Sequence, residues 1–370
     1  MANDLSTPLT GRKRKNAGKP RGFPLARVLA GLIVLVLGGF VARLMLVDDP
    51  DGGRPTQEVA ITSTRDANSL ANDVANGPVT ITPDPQEYPA GGVPSLTPLA
   101  PAISNGDPFA ALPDLSEESA NGPIPRVSAS GQTPFKAYST PLATPLAPGK
   151  PAIAIIVTGL GINEQGSLDA IDQLPDAVTL AFAPYGKSLQ STVSSARAAG
   201  HEVLLEVPLE PFDYPQNDPG PQTLLTGDEP RANLDKLFWL MARFGGYVGL
   251  INNMGARFTA SGADFSPVME ELGARGLGYV DDGSSNRSLA PQLAAGNKVP
   301  FSRADLVIDT NPARTPILEA LGSLESKALQ NGSSIGIVSA LPISVQSVAE
   351  WSRELEAKGI TLVPISALMQ

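Results

Sequence analysis

The chain has 370 residues, with 36 prolines, 36 glycines, one histidine and no cysteine. The absence of cysteine excludes thiol nucleophiles, disulfides and thiolate-ligated metals, and a single histidine excludes zinc sites built from two or three histidines. The formal net charge of -10 gives no electrostatic support for nucleic-acid binding, so we expect no nucleic-acid partner.

The first predicted element is a membrane anchor. A basic cytoplasmic tail, residues 1–27, precedes an apolar stretch, Val28–Val47, which has the length of a membrane-spanning helix. Asp48, Asp49 and Asp51 follow the stretch, so the positive-inside rule predicts a single-pass inner-membrane protein with its C-terminal domain in the periplasm. A cleaved signal peptide is the alternative, but no small-x-small cleavage site follows the apolar run.

Residues 48–149 have the composition of a disordered linker. Nearly half of the 36 prolines lie here, and neither a helical nor a strand period of apolar residues is sustained. Such a segment buries too little apolar area to offset the entropy of ordering it. We predict a semi-extended tether that gives an anchored domain reach, with Phe135–Tyr138 docking on the edge of that domain.

From residue 150 to 370, short apolar runs alternate with amphipathic stretches, which predicts parallel strands covered by helices on both faces. The predicted strands are Ala152–Val157, Val178–Ala183, Glu202–Val207, Val248–Ile251, Leu277–Val280, Leu306–Ile308, Ile335–Val338 and Thr361–Val363. The predicted helices include Lys187–Ala199, Arg231–Phe244, Ala263–Arg275, Thr315–Leu329 and Val345–Lys358. This pattern indicates an α/β fold, an irregular (β/α) barrel of about seven parallel strands; an open doubly wound sheet is the alternative.

In either fold a site forms at the carboxyl ends of the strands. Polar side chains predicted to lie there are Thr158, Tyr185, Glu206, Asn252, Asn253, Arg257, Asp281, Asp282 and Ser339. Because side chains alternate along a strand, one of the adjacent carboxylates Asp281 and Asp282 faces the mouth and the other faces the helices. We take Asp281 and Glu206 as the catalytic candidates, since Asp282 also suits a turn before Gly283.

The single histidine, His201, follows Gly200 at the start of the third predicted strand. Glu206 lies about 16 Å away at the other end of that strand, at about 3.3 Å per residue. We therefore expect His201 to be a structural hydrogen-bonding residue rather than a catalytic one.

A series of separated segments carries a resemblance to a known family. The segments are Gly200–Pro211, Tyr214–Pro215, Asp218–Pro221, Leu224–Leu225, Asn252–Thr259, Val280–Ser285 and Gly359–Ser366. In these segments, and in their order, the chain resembles the divergent polysaccharide deacetylases, bacterial envelope proteins related to metal-dependent carbohydrate esterases. The resemblance covers essentially all of 151–370 and implies a deacetylase-like barrel.

The chain departs from this family where the resemblance places metal ligands. Members that resemble active enzymes have an Asp-Asp pair where this chain has Thr158 and Gly159, and histidines near Glu206 and in place of Asn253. They also have a Gly-His-Pro segment in place of Val338–Ala340. The resemblance therefore implies the fold and a sugar-associated ancestry, while the substitutions predict a loss of metal-dependent catalysis.

Three functions are compatible with these observations. The first is a catalytically degenerate domain that binds envelope glycan, such as peptidoglycan, or an envelope protein, and needs no cofactor. The second is a hydrolase in which Glu206, Asp281 and Asn253 hold a divalent metal through oxygen. The third is a scaffold in envelope assembly, which a buried salt bridge between Asp281 and Arg257 would favour.

Overall fold

The computed structural model describes residues 111–142, 146 and 149–369. The predicted cytoplasmic tail, the predicted anchor Val28–Val47 and most of the predicted linker lie outside these residues. Within the part that the structure describes, no helix has both the length and the apolar character needed to cross a membrane.

The described residues form eleven strands and eight helices. The strands are β1 (Ser116–Ser119), β2 (Gly122–Pro125), β3 (Ala152–Leu160), β4 (Thr179–Phe182), β5 (Val203–Leu209), β6 (Gly249–Met254), β7 (Gly278–Asp281), β8 (Phe301–Arg303), β9 (Leu306–Val307), β10 (Ser333–Ser339) and β11 (Thr361–Leu362). The helices are α1 (Pro134–Tyr138), α2 (Glu164–Gln173), α3 (Leu189–Ala198), α4 (Pro230–Met241), α5 (Gly262–Arg275), α6 (Ala290–Asn297), α7 (Arg314–Asn331) and α8 (Pro342–Ser352).

Strands β3 to β11 form one parallel sheet in the order β8-β7-β6-β5-β4-β3-β10-β9, with β11 beside β3. The two end strands, β8 and β9, are separated in sequence only by Ala304 and Asp305. The Ala304 N–H donates to the Asp281 carbonyl on β7 (2.9 Å), and the Asp305 N–H donates to the Ile335 carbonyl on β10 (2.8 Å). The sheet therefore curves into an incomplete barrel that this dipeptide closes, with no β8–β9 ladder in the described chain.

Both faces of the sheet are apolar because each covers a different core. On β3, Ile153 and Ile155 pack against the surrounding helices, whereas Ala154 and Ile156 fill the barrel interior. This is the period of two expected of a strand, with apolar residues in both phases. It explains why the parallel strands appear in the sequence as continuous apolar runs.

Every strand and helix named between residues 150 and 370 overlaps an observed element, so the prediction of parallel strands alternating with helices is confirmed. The sheet has nine strands rather than about seven. Strand β8 escaped prediction because it has three residues and alternates half-buried Phe301 and Arg303 around buried Ser302. Helix α2 buries only Ser167, Ala170 and Ile171, too few apolar residues to show a helical period.

Residues 111–142 form an ordered N-terminal arm, so the linker prediction is wrong for this stretch. Strands β1 and β2 make an antiparallel hairpin, which Arg275 on α5 holds through the Glu117 carboxylate (2.9 Å). Helix α1 closes the N-terminal end of the barrel, where Tyr138 is 5% exposed. The predicted docking of Phe135–Tyr138 is thus confirmed, and the arm brings enough apolar side chains to offset its ordering.

Candidate functional site

A cleft of about 610 Å³ opens at the carboxyl ends of the strands, opposite the end that α1 closes. Most of the polar residues named from the sequence line it: Thr158, Tyr185, Glu206, Asn252, Asn253, Asp282 and Ser339. Two do not, Asp281 and Arg257. The volume lies within the range of small-molecule sites, about 300–1,000 Å³.

Glu206 lies at the floor of the cleft. It follows Leu204 in the inward phase of β5, so its carboxyl group points into the barrel mouth, and the residue is 5% exposed. Its Oε1 accepts a hydrogen bond from the Gly159 N–H, and Gly159 has a φ of 82° that suits glycine. Burial raises the pKa of Glu206 to about 7, although the bond from Gly159 acts in the opposite direction.

Three neutral polar residues reach the cleft from other strands. Thr158 ends the inward phase of β3, and its hydroxyl donates to the Val338 carbonyl (3.3 Å). Asn253 is half-buried and follows inward-facing Ile251 by two residues on β6. Ser339 ends β10. Its hydroxyl donates to the Asp309 carboxylate (3.4 Å). Thr158 and Ser339 therefore offer acceptors and the Asn253 amide offers both donors and an acceptor, which suits a ligand rich in hydroxyl and amide groups.

Asp282, directly after β7, and not Asp281, supplies the carboxylate at this side of the cleft. Val280 faces the barrel interior and Tyr279 faces the helices, which directs Asp281 outward. Asp281 is 1% exposed; its Oδ1 accepts from the Gly283 N–H (2.8 Å), while Oδ2 has no hydrogen-bond partner among the described residues. Burial raises the pKa of Asp282 despite its bonds with Ser284. The alternation expected from the sequence holds, but the catalytic candidate Asp281 lies on the wrong face.

Asn252 orders the strand ends beside the cleft. Its Oδ1 accepts from the Tyr279 hydroxyl and from the Asp282 N–H, both at 3.0 Å. Its Nδ2 donates to the Met254 carbonyl (2.6 Å). These bonds engage its amide with protein groups, so Asn252 positions Asp282 rather than offering its own side chain to a ligand.

Arg257 forms a salt bridge with Glu210 (3.0 Å) and is half-exposed. Glu210 is buried and also accepts from the N–H and hydroxyl of Thr226. The salt bridge between Arg257 and Asp281 that would favour a scaffold is therefore not formed.

Tyr185 and the loop 211–221 form one wall of the cleft. The Tyr185 hydroxyl donates to the Pro221 carbonyl (2.7 Å). Its pKa is raised by burial and by the negative charges of Glu206 and Asp218. The loop packs closely on the ring, since a Cβ at Gly220 would lie 3.0 Å from the Tyr185 hydroxyl oxygen. Sequence reasoning did not place this loop at the site, although its Asp218–Pro221 turn carries part of the family resemblance.

His201 is a structural residue, as predicted. It is 1% exposed, with Nδ1 2.9 Å from the Val178 carbonyl and Nε2 3.3 Å from the Ile171 carbonyl. Both ring nitrogens are thus engaged at the end of the barrel away from the cleft.

The side chains at the cleft do not fit the metal site that the family resemblance implies for active members. No three His, Cys, Asp or Glu side chains within 111–142 and 149–369 converge as a metal-binding group. Glu206 has one oxygen bound to Gly159, and Asp281 turns away. The trio Glu206, Asp281 and Asn253 therefore does not surround a common point.

Comparisons with known proteins agree with this architecture. The chain is 42% identical to a solved structure, an uncharacterized protein, ATU2773, from Agrobacterium tumefaciens C58, with a TM-score of 0.64 over 66% of this chain and 98% of that one. It is 24% identical to the uncharacterized protein YibQ of Escherichia coli (strain K12) over 229 residues, which is 62% of this chain and 70% of YibQ. The family model for divergent polysaccharide deacetylases matches residues 155–369. The chain therefore belongs to the divergent polysaccharide deacetylase family.

Proposed function

We propose that this domain binds a glycan of the cell envelope in its cleft and does not hydrolyse it. The observation that carries the proposal is the bond between Glu206 and Gly159 at the cleft floor. The resemblance implies a metal ligand or base in place of Gly159 and a histidine near Glu206. One carboxylate oxygen is engaged by the protein's own backbone, which favours a binding surface over a reactive centre.

The remaining side chains of the floor suit a sugar. Asn253 provides a neutral donor and acceptor for hydroxyl and N-acetyl groups. Thr158 and Ser339, whose hydroxyls donate to Val338 and Asp309, provide neutral acceptors, and Asp282 provides a carboxylate acceptor. The rest of the lining is largely apolar, with Ile162, Ala183 and several prolines. A cleft of this kind holds a ligand by shape and apolar contact and orients it with a few polar groups.

The predicted topology supports an envelope ligand. An inner-membrane anchor at Val28–Val47 would place the domain in the periplasm, and the predicted tether would let it reach beyond the membrane surface. Peptidoglycan is the polymer with N-acetyl sugars in that space, so it is the glycan that we propose.

Calorimetric titration of the full-length chain with a tetrasaccharide of N-acetylglucosamine tests the proposal. We expect saturable binding that Asn253→Ala weakens about tenfold, the loss of roughly one good hydrogen bond to a ligand. The matched control is Asn121→Ala, an exposed position in the β1–β2 turn, which should bind as the native chain does. A titration that shows no heat of binding would contradict the proposal, and so would equal losses of affinity in the two variants. A protein ligand would then become the favoured alternative.

Hydrolysis is the second candidate, and one observation favours it. A carboxyl group in a cleft whose pKa is raised to about 7 is suited to general acid or base catalysis. Acetate release from the same tetrasaccharide, measured with and without added zinc, separates the two functions. We expect no release above the background of the Glu206→Gln variant; release that this substitution abolishes would establish catalysis.

A further inference from the structure

A second groove of about 650 Å³ continues the cleft beyond β7. We call it the side groove; it is lined by Phe212, Gly283, Ser285, Asn286, Arg287 and Arg303. It shares Ala256 and Ser284 with the cleft, so a chain of sugars bound in the cleft would enter it directly.

Two arginines face the side groove without a carboxylate partner. Neither Arg287 nor Arg303 forms a salt bridge in the described part of the chain, where four of the other eight arginines do. Those four are Arg231, Arg257, Arg275 and Arg314. No acidic side chain lines the groove. In a protein with a net charge of -10, two arginines that line one groove without a carboxylate partner indicate an anionic ligand.

The loop that carries Arg287 is held in place by its own hydrogen bonds. The Arg287 N–H donates to the Ser285 hydroxyl (3.1 Å), and the Ser284 N–H donates to the Asp282 carboxylate (2.8 Å). The Arg303 guanidinium donates once, to the Ser285 carbonyl (2.7 Å). A guanidinium has five N–H donors, so most of those on Arg303 stay available to a ligand in a position that is already fixed.

Phe212 supplies the apolar contact. It is 58% exposed, so its ring is open to a ligand in the groove that it lines. Its backbone leaves the end of β5 next to Glu210, which Arg257 and Thr226 hold. The flat face of an exposed phenyl ring packs well against the C–H face of a sugar ring, and such a ring buries a large area at small entropic cost.

We infer that the side groove binds a sugar unit carrying a carboxylate, adjacent to the neutral sugars in the cleft. This inference rests on the proposed glycan binding and names the ligand class further. Arginine binds a carboxylate through paired N–H donors, which no neutral sugar can match. The negative charge of the whole chain opposes a uniformly charged polymer, so the ligand is a glycan in which neutral and carboxylated units alternate.

The test compares tetrasaccharides of equal length on the full-length chain at low salt. One is the neutral N-acetylglucosamine tetramer, and two alternate N-acetylglucosamine with N-acetylmuramic acid or with glucuronic acid. Each carboxylated ligand is also reduced chemically to its alcohol. We expect at least one carboxylated ligand to bind about tenfold more tightly than its alcohol, with a gap that narrows as salt rises. The tighter of the two identifies the source of the carboxylate.

Three variants test whether the preference for a carboxylated ligand over its alcohol arises in the side groove. Arg287→Gln, at an exposed side chain with no hydrogen bond in the described structure, is expected to remove most of the preference. Phe212→Ala should weaken each carboxylated ligand and its alcohol equally. The control Arg353→Gln removes the same charge from an exposed position beside the N-terminal ends of the strands and should keep the preference.

Three outcomes overturn the inference in distinguishable ways. If a ligand and its alcohol bind equally, and binding still requires Asn253, glycan binding survives and the anionic subsite does not. If no tetrasaccharide binds the native chain, both proposals fail. A preference that survives both Arg287→Gln and Arg303→Gln also overturns the assignment to this groove.

Discussion

Glu206 on β5 and Gly159 at the end of β3 are joined by a hydrogen bond that passes over the end of the intervening strand β4. This bond gives the cleft floor a carboxyl group that is buried yet has only one backbone donor. A buried carboxyl group with so little compensation holds its proton more tightly than in water.

Glu206→Gln is therefore expected to change how stability depends on pH. Burial raises the pKa of Glu206 from 4.5 to about 7, so the folded chain binds this proton more tightly than the unfolded chain. Ionising the group costs stability progressively as pH rises from 4.5 to 7, and the full cost is about 3 kcal/mol above pH 7. In urea unfolding, the free energy of unfolding of the variant minus that of the native chain should rise by about 2 kcal/mol from about pH 5 to pH 8.

The control for this prediction is Glu118→Gln, an exposed carboxyl group on the β1–β2 hairpin. Its stability difference from the native chain should be the same at both pH values. A Glu206→Gln difference that is equally independent of pH would show that the carboxyl group is solvated rather than buried.

Removing the N-terminal arm is expected to destabilise the barrel. The arm buries Leu115, Ile124 and Tyr138, and Thr140 donates its N–H to the fully buried carboxylate of Glu202 (3.1 Å). A chain that begins at residue 150 loses these contacts and exposes the N-terminal end of the barrel interior. We expect its free energy of unfolding to fall by about 3–5 kcal/mol relative to a chain that begins at 111. Equal urea midpoints for the two chains would refute a stabilising role for the arm.

Two glycines are expected to respond to alanine with opposite signs. At Gly249 on β6 a Cβ would lie 2.3 Å from the Gly278 carbonyl oxygen on β7, so Gly249→Ala must push two paired strands apart. We expect a loss of about 1–3 kcal/mol in the free energy of unfolding. At Gly322 inside α7 a Cβ meets nothing within 4 Å, so Gly322→Ala should add about 0.5–1 kcal/mol through helix propensity. Urea unfolding measures both changes. A higher free energy of unfolding for Gly249→Ala would contradict the close approach of β6 and β7 at Gly249.

Tyr185→Phe is expected to weaken glycan binding with little effect on stability. The substitution removes the hydrogen bond to Pro221 that holds the loop 211–221 as a wall of the cleft. A looser wall must be ordered when the ligand binds, and we expect about a fivefold loss of affinity for the N-acetylglucosamine tetramer. Tyr138→Phe, which removes an equivalent hydroxyl at the opposite end of the barrel, is the control. Similar losses in both variants would point to a general change in the fold.

The sequence predicts the central sheet well because burial on both faces leaves a direct trace. Runs such as Ala152–Val157 are continuous and apolar, and their spacing by helices indicates parallel pairing. The N-terminal arm leaves no such trace. Its few buried side chains, among them Leu115 and Tyr138, are dispersed in a proline-rich composition, and they become informative only when the surface that covers them is known.

The candidate site is predictable in outline but not in detail. The rule that sites form at strand ends locates Thr158, Glu206 and Ser339 correctly at the cleft. It leaves open which of Asp281 and Asp282 faces inward, because Tyr279 and Val280 are both apolar and either phase of β7 could be the inner one. The side groove is lined by Phe212 and Arg303, which come from segments far apart in sequence, an arrangement that local patterns do not encode.

Closure of the barrel rests on Ala304 and Asp305, whose amides bond to opposite edges of the sheet. No ladder joins β8 to β9 in the described chain, so these two strands are linked only by the chain itself and by these two bonds. Thermal opening of the barrel is therefore expected to begin at this point. The cleft lies next to this point of closure, since Val307 on β9 lines the cleft. The width available to a polymer strand therefore depends on the separation of β8 and β9, which these two bonds fix.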